Sequence, residues 1–400
     1  MRVLTLNCGS SSLKFDLLDV ATTGSSRIVS GIVDRIGDKA EVRLNAGSQV
    51  MQESLAVGDH AEALRAAAAV LENTGHLSGI EAIGHRVVHG GDHFRTPTLV
   101  DDDVVSAIES VSALAPLHNR PALAAITAAA DHFGSTLPMV ATFDTAFYVD
   151  LPEVAFRYAL PQALTAELGI RRFGFHGLAH RYMVSRYRSL HPERSAPRLI
   201  TLQLGNGCSA TATLDGRPLD TSMGFTPLEG LIMGTRCGDI DPSLPLFLAR
   251  KLGLSLDQVE ALLNNESGLL GLSGISADMR DLTAAEGAGS HSATLAIDAF
   301  CYRARKYIGA FFAVLNGADG LVFGGGIGEH DPEVRRRVCS GLEWAGLAFD
   351  DEANRLGSGD ERRISTPGSS IEAWVVPVDE ASVIAQDVAS CLAARNKATQ

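Results

Sequence analysis

The strongest constraint on the fold is a pattern that occurs twice, about half a chain apart. Near the start, an apolar segment around Leu4 runs into the small polar turn NCGSSS (7–12), and apolar residues resume at Leu13. Near residue 200, a similar segment runs into the turn GNG (205–207) and then into the threonine-rich stretch 210–214. Strand, turn and strand predict a β-hairpin at each place. A repeat of this kind predicts a duplicated, two-lobed α/β protein.

The first of these turns has the chemistry of an anion site. Glycine and serine offer backbone N–H groups and hydroxyls, and Lys14 lies just beyond them. The P-loop sequence GxxxxGK[ST] does not occur in the chain. Asn-Gly is the commonest hairpin turn, so each turn taken alone is equally typical of an ordinary exposed hairpin.

Helical periodicity fills most of the remaining chain. Apolar residues recur at helical spacing in several segments, and Pro332 favours a further helix start. The predicted helices are 60–72, 121–133, 178–190, 291–315, 332–345 and 380–394. The segment 355–370 is typical of a surface loop, and 149–153 of a crossing between lobes. We therefore expect an N-terminal lobe of 1–150 plus about 381–400, and a C-terminal lobe of 151–380.

Composition narrows the partners and the compartment. The chain has 400 residues and a net charge of −13, which disfavours nucleic acid as a partner. Anionic small substrates would need local cationic groups inside this acidic protein. The six cysteines form no CxxC pair, and no apolar run is long enough for a signal peptide or a membrane span. We expect a cytoplasmic protein without a membrane partner.

Three cationic residues stand in unusual settings. Arg86 lies among valines in GHRVVHGG, and burial of an unpaired arginine is costly, so an anion is expected nearby. Arg236 lies between glycines in GTRCGD, as a phosphate clamp would. His176 lies between the glycines of FGFHG, which suit a placed imidazole, although a plain loop histidine has the same pattern. His85 and His89 lack the glutamate of HExxH, which disfavours metal binding by them.

Two further motifs indicate nucleotide and metal chemistry. Asp144 follows the predicted strand 138–141, where carboxylates often hold Mg²⁺ or orient a base. The predicted strand 321–323 enters the glycine run 324–328, which opens a helix. Helix N-termini attract phosphate, and glycine lets the backbone approach a nucleotide. A tight strand-to-helix turn would show the same residues.

Taken together, these segments closely resemble the acetate kinase family, whose relatives include propionate and butyrate kinases. The resemblance covers nearly the whole chain in the family's order, through NCGSSSLKF, GHRVVHGG, LAPLHN, FDTAF, RRFGFHG, LGNG, TPLEGLIMGTRCGD, GGIGE and DEASVIA. It implies a two-lobed actin-like ATPase (ribonuclease H-like) fold with duplicated domains. It also implies reversible, direct in-line phosphoryl transfer between ATP and acetate, which gives acetyl phosphate and ADP. The implied cofactor is Mg²⁺, with Mn²⁺ as an alternative ion.

The resemblance implies roles for individual residues. The residues implied for catalysis are Arg86, Asp144, His176 and Arg236. Those implied for Mg²⁺ are Asn7 and Glu380. Those implied for a small pocket around the alkyl end of the acid are Val88, Leu117, Phe175 and Pro227, with Arg86 on its carboxylate. Those implied for phosphate and nucleotide are Ser10, Ser12, Lys14, Gln203, Leu204, Gly205, Asn206, Gly207, Asp278, Met279, Arg280, Gly326, Ile327, Gly328, Glu329 and His330.

The chain departs from the family pattern at a few of these positions. Gln203 stands where histidine is usual, and glutamine can donate a hydrogen bond to phosphate but carries no charge. The other departures are Met279 for an aromatic residue, His330 for asparagine, Tyr148 for histidine and Ala381 for glutamate. The retained Gly326 and Ile327 favour ATP over pyrophosphate as phosphoryl donor.

Several alternatives stay open at this stage. A propionate or butyrate kinase would differ by single methylenes in the substrate, which is worth only about 1–3 kcal/mol of discrimination. A non-catalytic actin-like protein would not need Arg86, His176 and Arg236 together. A sugar kinase would need a general base and a polar pocket. The resemblance further implies a homodimer.

Overall fold

The structure of the chain is a computed structural model that describes residues 1–22, 24–47, 49–134, 136–357 and 359–398, without the side chains of Pro116, Leu117 and Ala398. The chain divides into two compact units. The first comprises Met1–Val149 and Asp379–Gln400, and the second comprises Asp150–Val378.

The first unit is an α/β layer structure. Its strands are β1 (Arg2–Cys8), β2 (Ser12–Ala21), β3 (Gly24–Asp34), β4 (Asp38–Ala46), β5 (Gln49–Val57), β6 (Ala82–Val87), β7 (Thr98–Leu99) and β8 (Met139–Phe143). Its helices are α1 (His60–Asn73), α2 (Asp102–Ser110), α3 (Pro116–Phe133) and α15 (Glu380–Ala398), with short 3₁₀ helices at Ser112–Leu114 and Asp144–Tyr148.

One eight-stranded sheet organises this unit, in the order β5-β4-β3-β2-β1-β6-β8-β7. Strands β1, β6 and β8 run parallel to one another, whereas β1, β2 and β3 form an antiparallel meander. Leu4, Leu6 and Phe15 pack with residues of α1 and α3 in one buried cluster. Val3 and Val140 pack with α15 in another. Helices therefore cover both faces of the sheet.

The second unit repeats this plan with more helices. Its strands are β9 (Arg198–Leu204), β10 (Cys208–Leu214), β11 (Arg217–Thr221), β12 (Gly320–Gly324), β13 (Arg362–Arg363) and β14 (Glu372–Val375). Its helices are α4 (Glu153–Phe156), α5 (Gln162–Glu167), α6 (Gly177–Leu190), α7 (Ser243–Leu252), α8 (Leu256–Asn265), α9 (Gly268–Ser273), α10 (Met279–Gly287), α11 (His291–Leu315), α12 (Gly325–His330), α13 (Pro332–Cys339) and α14 (Asp351–Arg355), with a 3₁₀ helix at Glu343–Ala345.

The six-stranded sheet of this unit has the order β11-β10-β9-β12-β14-β13. Met183 and Tyr187 of α6 pack on Leu199 and Val322 in a buried cluster. The long helix α11 packs against β9, β10 and β11 and against α9, α10 and α13. No helix in the described part of the chain is long and apolar enough to cross a membrane.

The two sheets share one connectivity. In each unit an antiparallel meander (β1-β2-β3 or β9-β10-β11) is extended on the side of its first strand by two parallel strands (β6-β8 or β12-β14). The α/β class and both hairpins predicted from the sequence are confirmed, because β1 pairs with β2 and β9 with β10 in antiparallel register.

The predicted helices are present, with two corrections at segment ends. Helix α13 stops at Cys339 rather than 345, because Ser340 is extended and Gly341 has a left-handed φ of +83°. Helix α3 begins at Pro116, earlier than 121, with proline in its first turn. The predicted loop over 355–370 contains the two-residue strand β13 among the residues that are described.

Candidate active site

The first unit gathers four predicted residues at one edge of its sheet. Asn7 lies near the end of β1, Arg86 near the end of β6, and Asp144 directly after β8. Because these strands are parallel, their carboxyl ends meet at the same edge. Glu380 opens α15, which packs against the same strands.

Hydrogen bonds join the four side chains into one cluster. Arg86 and Asp144 form a bidentate ion pair: Arg86 Nε donates to Asp144 Oδ1 at 3.0 Å, and Arg86 Nη2 donates to Asp144 Oδ2 at 2.6 Å. Arg86 Nη1 donates to Asn7 Oδ1 at 3.2 Å and lies 3.4 Å from Glu380 Oε2. Asn7 Nδ2 donates to the same Glu380 oxygen at 3.0 Å.

The charges in this cluster are paired. Burial alone would lower the pKa of Arg86, but Asp144 and Glu380 raise it above its ordinary value. The Asp144 side chain is 0% exposed, and it forms its ion pair with Arg86 inside the unit. One guanidinium and two carboxylates leave a formal charge of −1, with oxygen donors of the kind that Mg²⁺ prefers. No group of three or more His, Cys, Asp or Glu among the described residues is placed to hold a metal.

A glycine lets α15 carry Glu380 to this edge. A Cβ at Gly84 would lie 2.5 Å from Ile384 Cγ2 and 2.8 Å from Val388 Cγ2, closer than real carbon atoms approach. The absence of a side chain at Gly84 therefore allows α15 to lie directly on β6. Ala381 and Val388 complete the apolar contact.

The second unit has its own cluster, which begins at His176. This residue caps α6 with φ 56° and ψ 30°, the left-handed region that non-glycine residues seldom adopt. Its Nδ1 lies 2.9 Å from Ser209 Oγ on β10. The glycines on either side, Gly174 and Gly177, give the chain room for this turn.

Arg236 also lies at the turn between β9 and β10. A Cβ at Gly207 would lie 2.8 Å from Arg236 Nη2 and 3.5 Å from His176 Nε2. Both nitrogens therefore face the same glycine, which must lack a side chain for them to do so. Arg236 Nη1 donates to Pro227 O at 2.6 Å, and Gly234 N donates to Asn206 O at 2.9 Å.

Arg236 differs from Arg86 in having no carboxylate. Among the described residues, no Asp or Glu oxygen lies within 4.0 Å of its guanidinium, and Pro227 O is its side-chain hydrogen-bond acceptor. Burial lowers the pKa of Arg236 below its ordinary value. A largely buried guanidinium with no carboxylate within 4.0 Å favours an anion as its partner.

The glycine run after β12 lies against the same turn. Gly325 has φ +77°, and a Cβ there would lie 2.6 Å from Leu204 O. Gly326 N lies 4.0 Å from the Cβ position of Gly205. The segments 203–207 and 324–328 are therefore neighbours.

The side chains of Glu329 and Arg335 brace this glycine run. Glu329 Oε1 accepts hydrogen bonds from Gly325 N at 2.9 Å and Val378 N at 3.0 Å. Arg335, 1% exposed, donates to Gly328 O at 2.8 Å and Glu329 O at 2.9 Å. The carboxylate of Glu329 thus holds the backbone in place. His330 is exposed, with Nδ1 at 3.0 Å from Gly326 O.

Gln203, the departure from the family pattern, lies beside these glycines. A Cβ on Gly325 would lie 2.9 Å from Gln203 Nε2, and a Cβ on Gly324 would lie 3.4 Å from Gln203 Oε1. The Oε1 atom is buried without a hydrogen-bond partner in the described part of the chain.

The segment 278–280 also reaches this region. Ala277 O lies 3.2 Å from the Cβ position of Gly234, whose nearest neighbour is Asn206 Oδ1. Asp278 caps α10 and pairs with Arg280 at 2.5 Å. Met279 is only 3% exposed, so it packs inside the unit, whereas the Arg280 side chain is 89% exposed.

The remaining predicted residues divide between the two units. In the β1–β2 turn, Gly9 N donates to Ser12 O at 2.8 Å, and Ser10 and Lys14 are exposed. Val88 is buried in the first unit just beyond β6. Phe175 and Pro227 lie in the second unit next to His176 and Arg236. The predicted side chain of Leu117 lies outside the described residues.

Sequence reasoning missed three residues of the second unit. Ser209 and His180 continue the contacts of His176, and Arg335 braces the glycine run. The four-residue spacing of His176 and His180 at the start of the predicted helix is the signal that indicates His180. Nothing in the local sequence distinguishes Ser209 or Arg335.

The repeated sheet order and the two clusters define the class of the protein. Each unit has the meander-plus-two-parallel-strands plan of the actin-like ATPase (ribonuclease H-like) fold, duplicated within one chain. The chain belongs to the acetokinase family, whose model matches residues 2–386.

Individual relatives agree over nearly full length. The chain is 48% identical to an acetate kinase of Solibacter usitatus, over 98% of each chain, and 44% identical to one of Chloroherpeton thalassium, over 98% of this chain and 99% of the relative. The structure of Porphyromonas gingivalis acetate kinase superposes with a TM-score of 0.89 at 38% identity, over 98% of this chain and 99% of that one. A propionate kinase structure from Francisella tularensis gives a TM-score of 0.90 at 38% identity, over 96% and 98%.

Proposed function

We propose that this protein is an acetate kinase, which transfers a phosphoryl group reversibly between ATP and acetate to give acetyl phosphate and ADP. Arg236 carries the proposal, because it is a largely buried guanidinium without a carboxylate partner, beside His176 and the glycine turn at Gly207. An anion such as a transferring phosphoryl group would supply the missing negative charge.

The chemistry needs positioning more than proton transfer. A carboxylate is already a nucleophile, so the protein has to align it with the phosphoryl group and neutralise the charge that develops. Arg236 and His176 provide cationic and donor groups for the phosphoryl oxygens. Arg86, held by Asp144, provides a fixed guanidinium for the acid or the phosphoryl group. Transfer is then direct, without a phosphorylated enzyme intermediate.

Nucleotide contacts are assigned to the second unit. The neighbouring segments 203–207 and 326–330 form a glycine-rich surface that suits a nucleotide, and 278–280 lies close to Asn206. Gln203 Nε2 would donate to a phosphate oxygen. Because Met279 is buried, Arg280 is the residue of that segment that would meet the nucleotide. In the first unit, Ser10, Ser12 and Lys14 would contact phosphate.

Asn7 and Glu380 fit Mg²⁺. The two side chains are adjacent, since Asn7 Nδ2 lies 3.0 Å from Glu380 Oε2, and amide and carboxylate oxygens suit this hard ion. Two protein ligands are enough because Mg²⁺ keeps waters and binds substrate phosphates. When bound, the ion would neutralise phosphate charge. Mn²⁺, with the same ligand preference, would substitute.

The preferred acid depends on Val88, Leu117, Phe175 and Pro227. One methylene changes binding by only about 1–3 kcal/mol, so propionate remains a second candidate, which the similar Francisella propionate kinase structure favours.

We further propose a cytoplasmic homodimer that binds neither nucleic acid nor membranes. Helix α7 contributes no buried residue to its unit, although it is rich in apolar side chains. Leu246 is 53% exposed, Phe247 58% and Leu252 59%. A second copy of the chain would cover this apolar face, and light scattering of the purified protein would test it.

A hydroxamate assay tests the activity. Formate, acetate, propionate and butyrate are combined with ATP, GTP or pyrophosphate, and acyl phosphate is trapped with hydroxylamine. We expect acetate with ATP and Mg²⁺ to give the highest kcat/KM, and Arg86→Ala and Arg236→Ala each to lower it by about 100-fold or more. Arg188→Ala, an exposed arginine paired with Asp215, is the control.

Two results would contradict the proposal. Near-normal activity of Arg86→Ala and Arg236→Ala would show that the site is elsewhere. A phosphorylated protein that forms with ATP alone and then phosphorylates acetate would exclude direct transfer.

A further inference from the structure

A chain of buried side chains extends from His176 into the second unit. His176 Nδ1 lies 2.9 Å from Ser209 Oγ, and the same oxygen lies 2.7 Å from His180 Nε2. His180 Nδ1 lies 2.6 Å from Thr201 Oγ1, which donates to Thr211 O at 3.4 Å. Ser209, His180 and Thr201 are each 0% exposed.

The protons in this chain are limited. Burial lowers the pKa of His180 to about 3, so it is neutral at physiological pH and has one N–H and one acceptor nitrogen. Ser209 has a single hydroxyl proton for two nitrogen neighbours. If that proton points to His180, Ser209 Oγ accepts from His176. If it points to His176, every hydrogen bond between His176 and Thr201 has its donor and acceptor exchanged.

One of the two directions suits a doubly protonated imidazole, the form that carries positive charge to an anion. A doubly protonated His176 must donate from Nδ1, so Ser209 must accept from it and donate to His180 Nε2. His180 Nδ1–H then donates to Thr201, whose hydroxyl donates to the carbonyl of Thr211. Every donor in this direction has an acceptor, and the chain ends on a backbone oxygen.

We propose that Ser209 and His180 are positioning residues, which hold the protonated His176 imidazole with its Nδ1–H donated inward and its Nε2–H directed to the anion beside Arg236. This inference deepens the proposed function and rests on it for the identity of the anion. The bond to Ser209 also holds His176 in its left-handed backbone conformation, which costs free energy by itself.

The charges around His176 explain why a neutral hydroxyl such as Ser209 is a suitable acceptor for its Nδ1–H. Arg236, from the loop after β11, opposes a charged His176 until an anion binds. Cys208 on β10 is neutral, since burial raises its pKa to about 12, and His180 is neutral. Arg172 and Glu229, next to the segment before His176, neutralise each other at 2.6 Å. Ser209 and His180 therefore support the imidazolium without adding a carboxylate that would repel phosphate.

The kinetic test removes the central hydroxyl. In Ser209→Ala we expect kcat to fall about tenfold, the effect of losing one hydrogen bond to a charged group, with KM for acetate and ATP within about twofold. We expect the alkaline limb of the kcat profile to move to lower pH. Ser209→Thr, which keeps the hydroxyl, should restore most of the loss. Thr213→Val is the matched control, because it removes a buried β10 hydroxyl that has no partner among the described residues.

A spectroscopic test needs no substrate. Nitrogen-15 NMR of histidine-labelled full-length protein, with His176→Gln for assignment, reports which ring nitrogen carries the proton. We expect the Nδ1–H form for neutral His176 in the wild type. In His180→Phe the Ser209 proton loses its acceptor and turns to His176, so we expect the Nε2–H form.

These measurements separate the two proposals. If the wild type makes no acyl phosphate with any acid, the proposed function fails, while the NMR result still decides the positioning role. An Nε2–H wild type, or a Ser209→Ala variant with unchanged kcat and pH profile, would overturn the positioning role even in an active kinase. Thermal unfolding of each variant shows whether a loss of activity reflects loss of folding.

Discussion

Arg86 in the first unit and Arg236 in the second are both largely buried, but they differ in what neutralises them. Arg86 donates two hydrogen bonds to Asp144, and its Nη1 lies 3.4 Å from Glu380 Oε2. Arg236 has a carbonyl acceptor, Pro227 O, and no carboxylate in the described structure within 4.0 Å. The first cluster is complete and formally anionic, which suits a cation. The second is cationic and incomplete, which suits an anion.

The largest expected effect tests this difference through stability. Arg86→Met removes the guanidinium that donates two hydrogen bonds to the fully buried Asp144, and we expect the free energy of unfolding to fall by about 3–5 kcal/mol. Arg236→Met removes no ion pair with a carboxylate in the described part of the chain, so we expect no fall in the free energy of unfolding. Urea unfolding followed by circular dichroism measures both.

A second substitution sharpens the result. Replacing both partners, as Arg86→Met with Asp144→Leu, should recover much of the lost stability, because no unpaired charge remains. Equal destabilisation by Arg86→Met and Arg236→Met would mean that the two arginines do not differ as described.

The next effect concerns pH. Burial lowers the pKa of His85 in the first unit and of His180 in the second from 6.5 to about 3. Below pH 6.5 the unfolded chain takes up protons at these residues that the folded chain does not, so the free energy of unfolding falls with pH until about pH 3. By pH 5 we expect a loss of about 2 kcal/mol for each histidine.

Asp16 modifies this expectation in the first unit. Burial raises the pKa of Asp16 to about 6. As the pH falls below about 6, the folded chain takes up a proton at Asp16 before the unfolded chain does. Asp16 therefore increases the free energy of unfolding over the pH range in which the two histidines decrease it. Asp16→Asn should therefore steepen the loss of stability between pH 6.5 and 5. Urea unfolding at several pH values checks this, and a flat profile in both proteins would contradict the buried neutral histidines.

The smallest expected effect concerns how α15 is held. Gly84→Ala places a methyl group against Ile384 and Val388, so we expect a loss of about 1–3 kcal/mol and a displacement of α15. Since Glu380 opens this helix, the Mg²⁺ concentration for half-maximal activity should rise. Gly309→Ala, in α11 with open space at its Cβ, is the control and should be neutral or slightly stabilising. An unchanged Mg²⁺ requirement in Gly84→Ala would argue against Glu380 as a ligand.

Much of the fold was predictable because it depends on local patterns. Alternating apolar residues and small polar turns identify the hairpins β1–β2 and β9–β10, and helical spacing identifies α1, α6 and α11. The end of α13 was missed, since the extended Ser340 and left-handed Gly341 interrupt a pattern that otherwise continues. Arg86, His176 and Arg236 were found as candidates because each is a cationic residue in an apolar or glycine-rich setting.

The sequence by itself determined the fold class, the family and the residues worth testing. Only the tertiary structure decided which of them share a cluster: Asp144 pairs with Arg86, Arg236 faces His176 across Gly207, and Ser209 joins His176 to His180. The physical reason is that hydrophobic periodicity can be recognised within a segment of a few residues. Ion pairs and hydrogen bonds between side chains depend instead on strands and helices from distant parts of the chain that come together in the fold.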